Sequence, residues 1–166
     1  MKSIILFRHG ESQLVCNSKD YDRPLTELGV RESKEMGIFL SKRFIPDLVI
    51  SSTANRAKKT SQLAISSGNW KSTILFEREI YGGSPSFLIE LINKQNNKFS
   101  SICLVGHEPN FSKFIEKTTN NNHIFFPTAT MAKVDFEVNS WDEVSYNIGI
   151  LDWLVSPKNL INEDLC

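Results

Sequence analysis

The sequence predicts a three-layer α/β/α domain on a mixed, mostly parallel sheet, and three observations carry that expectation. Short apolar runs alternate with segments of helical periodicity, the pattern of strands joined by crossover helices. Capping residues and prolines stand at the ends of those helical segments. The late strands alternate polar and apolar residues, as half-exposed strands do.

Taken in order, Ile4-Ile5-Leu6-Phe7 reads as a buried first strand. Arg23-Pro24-Leu25-Thr26 sets up a helix with Thr26 at its N-cap; Met36, Phe39, Leu40 and Phe44 form its apolar stripe and Pro46 stops it. Leu48-Val49-Ile50 is a second strand, Ala54 to Ala64 a second helix, and Ile74-Leu75-Phe76 a weaker third strand. Ser84 and Pro85 supply the N-cap and first-turn proline of a helix that buries Phe87, Leu88, Leu91 and Ile92. Ile102 to Val105 is a strand, and Pro109 begins a helix with Phe111, Phe114 and Ile115 facing inward. Thr118 to His123 is a polar loop. Val134, Phe136 and Val138 then alternate with Lys133, Asp135 and Glu137, and Asn139 to Glu143 turns into a last strand from Tyr146 to Leu154. No repeat, low-complexity tract or linker interrupts this series, so residues 1–166 are expected to form one domain. Between Ser67 and Ser101 there is room for one strand and one helix and none for an inserted lid.

Bulk properties narrow the function. With 166 residues the chain can bury a core without disulfide or metal staples. Its 19 basic and 19 acidic residues cancel and neither sign runs in a block, which speaks against a nucleic-acid partner. Cys16, Cys103 and Cys166 are odd in number, far apart and without a CxxC pair, so they read as free thiols in a reducing compartment. The apolar run after Lys2 is cut short by Arg8 and His9, too short for a signal peptide or a membrane span. A cytoplasmic protein with no membrane partner is expected.

Three short segments share one place in this arrangement. Arg8-His9 follows the first strand, Ser51-Ser52 with Arg56 follows the second, and Gly106-His107-Glu108-Pro109 follows the fourth. In an open α/β sheet, ligands bind in the crevice outside the carboxyl ends of the strands. A neutral imidazole attacks phosphorus to give a phosphohistidine that water can hydrolyse. Guanidinium groups clamp phosphoryl oxygens and stay charged throughout. A second imidazole, protonated, can hold a further oxygen, and phosphoryl transfer needs mainly such positioning and charge stabilisation. Gly10 and Gly106 are expected to let the backbone turn sharply against the ligand, and Pro109 to open a helix whose N–H groups favour an anion. No metal and no cofactor is called for.

Arg8-His9-Gly10 near the start, Arg56-Ala57 with Thr60 after the second strand, and Gly106-His107-Glu108-Pro109 late in the chain together resemble the histidine phosphatase superfamily, which includes the cofactor-dependent phosphoglycerate mutases. Arg23-Pro24-Leu25-Thr26, Gly29, Glu32-Ser33, Ser156-Pro157 and Asn159-Leu160 extend the resemblance to the short SixA-type phosphohistidine phosphatases over nearly the whole chain. The resemblance implies a phosphoglycerate mutase-like fold, His9 as nucleophile, and Arg8, Arg56 and His107 around the phosphate. Mutase-like relatives take a general acid from a segment resembling Glu79-Ile80-Tyr81-Gly82-Gly83, which makes Glu79 the candidate and Glu77 the fallback. The chain lacks the mutases' glycerate-recognising residues and their asparagine after Arg-His-Gly; Asn17 stands too late.

Further candidates at the mouth are Glu11, Ser12, Thr128 and Thr130, while His123 reads as solvated and Trp70, Trp141 and Trp153 as packing. Three functions remain open: hydrolysis of phosphohistidine on a protein such as a phosphotransfer domain, hydrolysis of a small phosphomonoester, and phosphate binding without catalysis. An imidazole leaving group needs less protonation than an alkoxide, so a dispensable Glu79 favours the first. A shallow site without a lid favours it too, and a deep one walled by residues 77–88 and 119–130 favours the second.

Overall fold

The computed structural model describes residues 1–14, 17 and 19–164. Six strands form one sheet: β1 (Lys2–Arg8), β2 (Leu48–Ser51), β3 (Thr73–Phe76), β4 (Ser101–Gly106), β5 (Met131–Phe136) and β6 (Gly149–Val155). Their order is β3-β2-β4-β1-β5-β6. The pairs β2–β3, β2–β4 and β1–β4 are parallel and the pairs β1–β5 and β5–β6 antiparallel, the mixed sheet that was expected.

Alternation along the central strands builds two cores. Ile4 and Leu6 of β1, with Leu48, Ile50, Ile102 and Leu104, face α3 (Pro85–Asn93) and α4 (Asn110–Thr118) through Leu88, Ile92, Phe111, Phe114 and Ile115. Ile5 and Phe7, with Val49, Cys103 and Val105, face α1 (Glu27–Ser41) and α2 (Asn55–Gly68) through Met36, Phe39, Leu40, Ala57 and Ala64, and Leu160 of α5 (Pro157–Asp164) packs at the margin. This is the period-2 geometry of strands with both faces covered.

Local signals act as their chemistry requires. The Thr26 side chain accepts from the Gly29 N–H at the start of α1, and the Ser84 side chain from the Phe87 N–H at the start of α3, beside Pro85 at the first turn. Helix α2 runs four residues past Ala64, to Gly68, and is closed by Asn69 in the left-handed region at φ 52°. The late strands are shorter than expected: β5 ends at Phe136, leaving Val138 outside, and β6 starts at Gly149, after Asn147 in a left-handed turn. The three tryptophans pack or bond internally. Trp70 and Trp141 donate to the carbonyls of Gly37 and Phe99, and Trp153 stands edge-on to Phe39.

Residues 67–101 contain the end of α2, β3, a 3-10 turn over Arg78–Tyr81 and α3. No helix among the described residues is long and apolar enough to cross a membrane. Cys103 is a free, buried thiol whose pKa burial pushes up; Cys16 and Cys166 lie outside the described residues.

Candidate active site

The central strands end flush, and that register creates the site. Arg8, last in β1, pairs with Gly106, last in β4, while Ser51, last in β2, pairs with Val105. The chain leaves each strand still tethered to its neighbour: the His9 N–H donates to the Gly106 carbonyl at 3.0 Å and the Ser52 N–H to the Val105 carbonyl at 2.9 Å. His9, Arg56 and His107 are each only 6% exposed, and the two imidazole centroids lie 5.2 Å apart. The residues predicted from three strand ends therefore meet.

His9 is held in one tautomer. Its Nδ1 is 2.7 Å from the Gly10 carbonyl, which can only accept, so Nδ1 carries the proton. Nε2 then presents its lone pair, and the Arg56 Nε–H donates to it at 3.3 Å. Burial chiefly, helped by Arg56, Arg8 and Arg23, lowers the His9 pKa from 6.5 to about 4. The imidazole is neutral at pH 7, and its unprotonated nitrogen is the one facing Arg56.

His107 corrects an expectation. A protonated imidazole was expected there, but burial first and then His9 and Arg56 lower its pKa from 6.5 to about 3, so it is neutral in the unliganded pocket. Its Nε2 lies 2.8 Å from the Ser52 hydroxyl oxygen, which also accepts from the Ala54 N–H. In the tautomer in which Ser52 donates to Nε2, the imidazole proton sits on Nδ1, a buried atom without a partner. A phosphate dianion supplies both the missing acceptor and the charge that favours protonation.

Among the described residues, the buried side-chain nitrogen and oxygen atoms with no hydrogen-bond partner are Arg8 Nε, His107 Nδ1 and Thr130 Oγ1. All three belong to side chains that the sequence placed at the site. An unpaired buried polar group costs about 1–3 kcal/mol, so each of these three atoms calls for a partner, and the oxygens of an anion have the chemistry to be one for Arg8 and His107. Arg8 is steadied by its Nη1, which donates to the Phe126 carbonyl at 3.0 Å. Thr130 sits at the end of a tight turn whose Ala129, in the left-handed region at φ 58°, donates its N–H to the His9 carbonyl at 2.9 Å.

Two backbone expectations are revised. No glycine among the described residues has positive φ, so Gly10 and Gly106 are not needed for their turns. They are needed for contact: a Cβ on Gly10 would stand 2.7 Å from the Gly29 carbonyl oxygen, and one on Gly106 2.8 Å from Ile80 Cγ2. At α4, Glu108 Oε1 already accepts the Ser112 N–H at 2.7 Å, so an internal carboxylate occupies part of the helix start expected to receive an anion.

The remaining candidates divide. Thr128 is half-buried in the turn before Thr130, and Ser12 is half-buried in a single bridge to Leu25. Glu79 lies on the 3-10 turn after the edge strand, exposed, with its N–H donating to Glu77 Oε1 of the same turn. The side chain this turn does bring in is Tyr81, edge-on to the His107 ring at 5.4 Å. Arg78, Glu79, Tyr81, Gly82, Gly83 and Phe87 line an open groove of about 440 Å³. Sequence reasoning missed Asp20, whose carboxylate pairs with Arg56 at 3.1 Å and accepts from the Tyr81 hydroxyl at 2.5 Å. Its only signal was an acid between Arg8-His9 and Arg23-Pro24. It also gave no role to Ser52, the partner of His107. No cluster of three or more His, Cys, Asp or Glu able to hold a metal occurs among the described residues.

The profile of the histidine phosphatase superfamily, branch 1, matches residues 4–78, which include His9 and Arg56. The first half of the chain therefore resembles the histidine phosphatase superfamily in sequence. The chain's structure superposes on the putative phosphohistidine phosphatase SixA of Agrobacterium tumefaciens with a TM-score of 0.80 and 26% identity, covering 94% of this chain and 98% of the other. A tungstate complex of the protein histidine phosphatase SixA aligns with a TM-score of 0.77 at 24% identity, over 95% of this chain and 99% of that one. An uncharacterised protein of Mycobacterium tuberculosis is 32% identical over 106 residues; the match spans 63% of this chain and 65% of the relative's length. The chain is thus similar in fold to SixA proteins over nearly its whole length, and its own His9, Arg8, Arg56 and His107 stand at three adjacent strand ends.

Proposed function

We propose that this protein is a phosphatase that works through a phosphohistidine on His9 and acts on phosphohistidine carried by a protein partner. The observation that carries the chemistry is a neutral His9 whose Nδ1 is tied to the Gly10 carbonyl and whose Nε2 faces Arg56, beside three buried polar atoms lacking partners on Arg8, His107 and Thr130.

In the first step Nε2 attacks phosphorus in line with the bond to the substrate imidazole. The new P–N bond forms, the old one breaks, and the leaving imidazole takes its electron pair and a proton from water. Arg8, Arg56 and the His107 Nδ1–H hold the equatorial oxygens where charge is concentrated. In the second step water attacks phosphorus, the bond to Nε2 breaks, and phosphate and neutral His9 are released. The Gly10 carbonyl, by keeping the proton on Nδ1, keeps the same nitrogen nucleophilic in every cycle.

Two features support the protein substrate. Glu79 is exposed and its carboxylate makes no hydrogen bond to the histidines or arginines, which suits a leaving group that needs no strong acid. Arg78, Glu79 and Tyr81 to Gly83, with Phe87, line an open groove instead of walling a deep cavity. The likeness to SixA proteins points the same way. A small phosphomonoester is the second reading, favoured by the groove's volume, which falls within the range of small-molecule sites.

The test is acid-quenched turnover of a phosphohistidine protein beside an aryl phosphate and a panel of metabolite phosphates. The expected result is an acid-labile phosphoenzyme in the wild type, none in His9→Ala, and the highest kcat/KM on the phosphohistidine protein, all unchanged in EDTA. Undiminished turnover by His9→Ala, or loss of activity in EDTA, overturns the mechanism. A higher kcat/KM on a metabolite replaces the substrate reading.

A further inference from the structure

Arg56 uses its guanidinium in two directions. The Nε–H points to His9 Nε2 at 3.3 Å, whereas the outer edge of the fork is taken by one residue. Nη1 donates to the Asp20 carbonyl oxygen at 2.8 Å and Nη2 to Asp20 Oδ2 at 3.1 Å. Asp20 opens a 3-10 turn, Asp20–Asp22, in the connection between β1 and α1, and this turn packs against α2.

The carboxylate is itself fixed from two further sides. Tyr81 donates its hydroxyl to Oδ2 at 2.5 Å, and Arg23 places Nε and Nη2 on Oδ1 at 3.0 and 2.9 Å. Tyr81 packs edge-on against both His107 and Tyr21, so the position of Asp20 is referred back to the second histidine. The Tyr81 bond first, with Arg56 and Arg23 behind it, holds the Asp20 pKa down at about 2, and the group is ionised at any working pH. An ionised carboxylate beside a phosphate site repels the dianion it must admit, which disfavours binding. Its presence calls for a compensating role.

We propose that Asp20 is a positioning residue for the reaction on His9: it grips the outer edge of the Arg56 guanidinium and thereby aims Nε at the nitrogen where the phosphoryl group lands. A guanidinium on a flexible stem, held only by its inner edge, samples other rotamers; two bonds from one residue to the far side remove that freedom. The arrangement costs ground-state affinity for phosphate and gains alignment in the transition state. The two effects have opposite signs, which separates this role from a merely structural one.

The inference rests on His9 being the nucleophile, and its test separates the two. The wild type, Asp20→Ala and Asp20→Asn are compared for kcat, KM and inhibition by inorganic phosphate, with thermal melts run alongside. Asp20 is half exposed, with 53% of its side chain accessible, so both variants should fold. Removing a partner that orients a reacting group typically costs 10–100-fold, so Asp20→Ala should lose roughly that in kcat while phosphate inhibits as tightly or several-fold more tightly. Asp20→Asn keeps an acceptor without the charge and should recover most of kcat with the tighter inhibition retained. A kcat for Asp20→Ala within about threefold of wild type overturns the proposal, as does weakening of phosphate inhibition in step with kcat, or failure of Asn to rescue. A wild type inert toward every phosphorylated probe overturns the nucleophile reading instead.

Discussion

Strands β2 and β4 are buried at every residue, whereas all four residues of the edge strand β3 are exposed. Both regions send a segment toward the pocket. The interior strands deliver His9, Arg56 and His107 into a site where each is 6% exposed, and the edge strand delivers the turn bearing Glu79 and Tyr81. An interior strand end is bonded on both sides, so the next residue along the chain inherits its coordinates. An edge strand end is bonded on one side, and the turn beyond it settles by side-chain contacts: Tyr81 finds the Asp20 carboxylate and the His107 ring, while Glu79 stays in solvent. Chemistry that tolerates no displacement belongs to the interior, and selection of a partner can be left to the edge.

Substitutions at the two regions should therefore differ by orders of magnitude. Arg8→Ala removes a guanidinium from the interior and leaves the phosphoryl oxygens one clamp short; kcat/KM should fall roughly 10²–10³-fold, comparable with loss of a preorganised oxyanion donor. A drop below tenfold in steady-state assays would dissolve the contrast between interior and edge.

The next effect is on stability and arises from burying both histidines as neutral groups. An unfolded imidazole binds its proton near pH 6.5, whereas folded His9 and His107 do so only near 4 and 3. Below pH 6.5 the unfolded chain holds more protons than the folded one, so folding stability falls as the pH is lowered, by up to about 1.4 kcal/mol per pH unit for each site. The decline continues until the folded sites titrate, and above pH 6.5 their contribution is complete. Denaturant melts between pH 7 and 4.5 should show this slope, and the double variant His9→Gln/His107→Gln should flatten it. Equal slopes in both proteins would show that these imidazoles are not held neutral.

The smallest effect is expected at the edge. Glu79→Gln should change kcat/KM on a phosphohistidine substrate by less than about threefold, because an exposed carboxylate outside the site's hydrogen bonds has no proton to deliver there. A tenfold loss on an aryl phosphate with none on phosphohistidine would show that Glu79 reaches over poorer leaving groups, and would sharpen the division of labour.

The sequence carried the interior well and the edge poorly, for a physical reason. Arg8-His9 and Gly106-His107 each abut an apolar run that can only be a buried strand, so their place in space is set by the strand's. Arg56 was legible because it lies in the first turn of a helix that succeeds such a strand. Asp20 was not, since its position depends on a loop conformation fixed by Arg23, Arg56 and Tyr81 together, three residues remote from one another in sequence. The neutrality of His107 was hidden likewise, because it is a property of the burial that His107 shares with His9 and of the nearby Arg56. The short final strands reflect turns at Val138 and Asn147 that no alternation of apolar residues reports.

The packing of Gly10 against Gly29 bears on how this chemistry could be moved elsewhere. A Cβ on Gly29 would stand 2.1 Å from the Glu11 carbonyl oxygen, and one on Gly10 2.7 Å from the Gly29 carbonyl oxygen, so the loop after β1 and the start of α1 touch backbone to backbone. The Gly10 N–H is also bonded to Thr60 Oγ1 of α2 at 3.0 Å. The shape of the loop that carries His9 is thus impressed on it by two helices. A designer who grafts Arg-His-Gly alone onto another strand transfers three letters; the transferable part is the strand, its loop and both helices that press it into form.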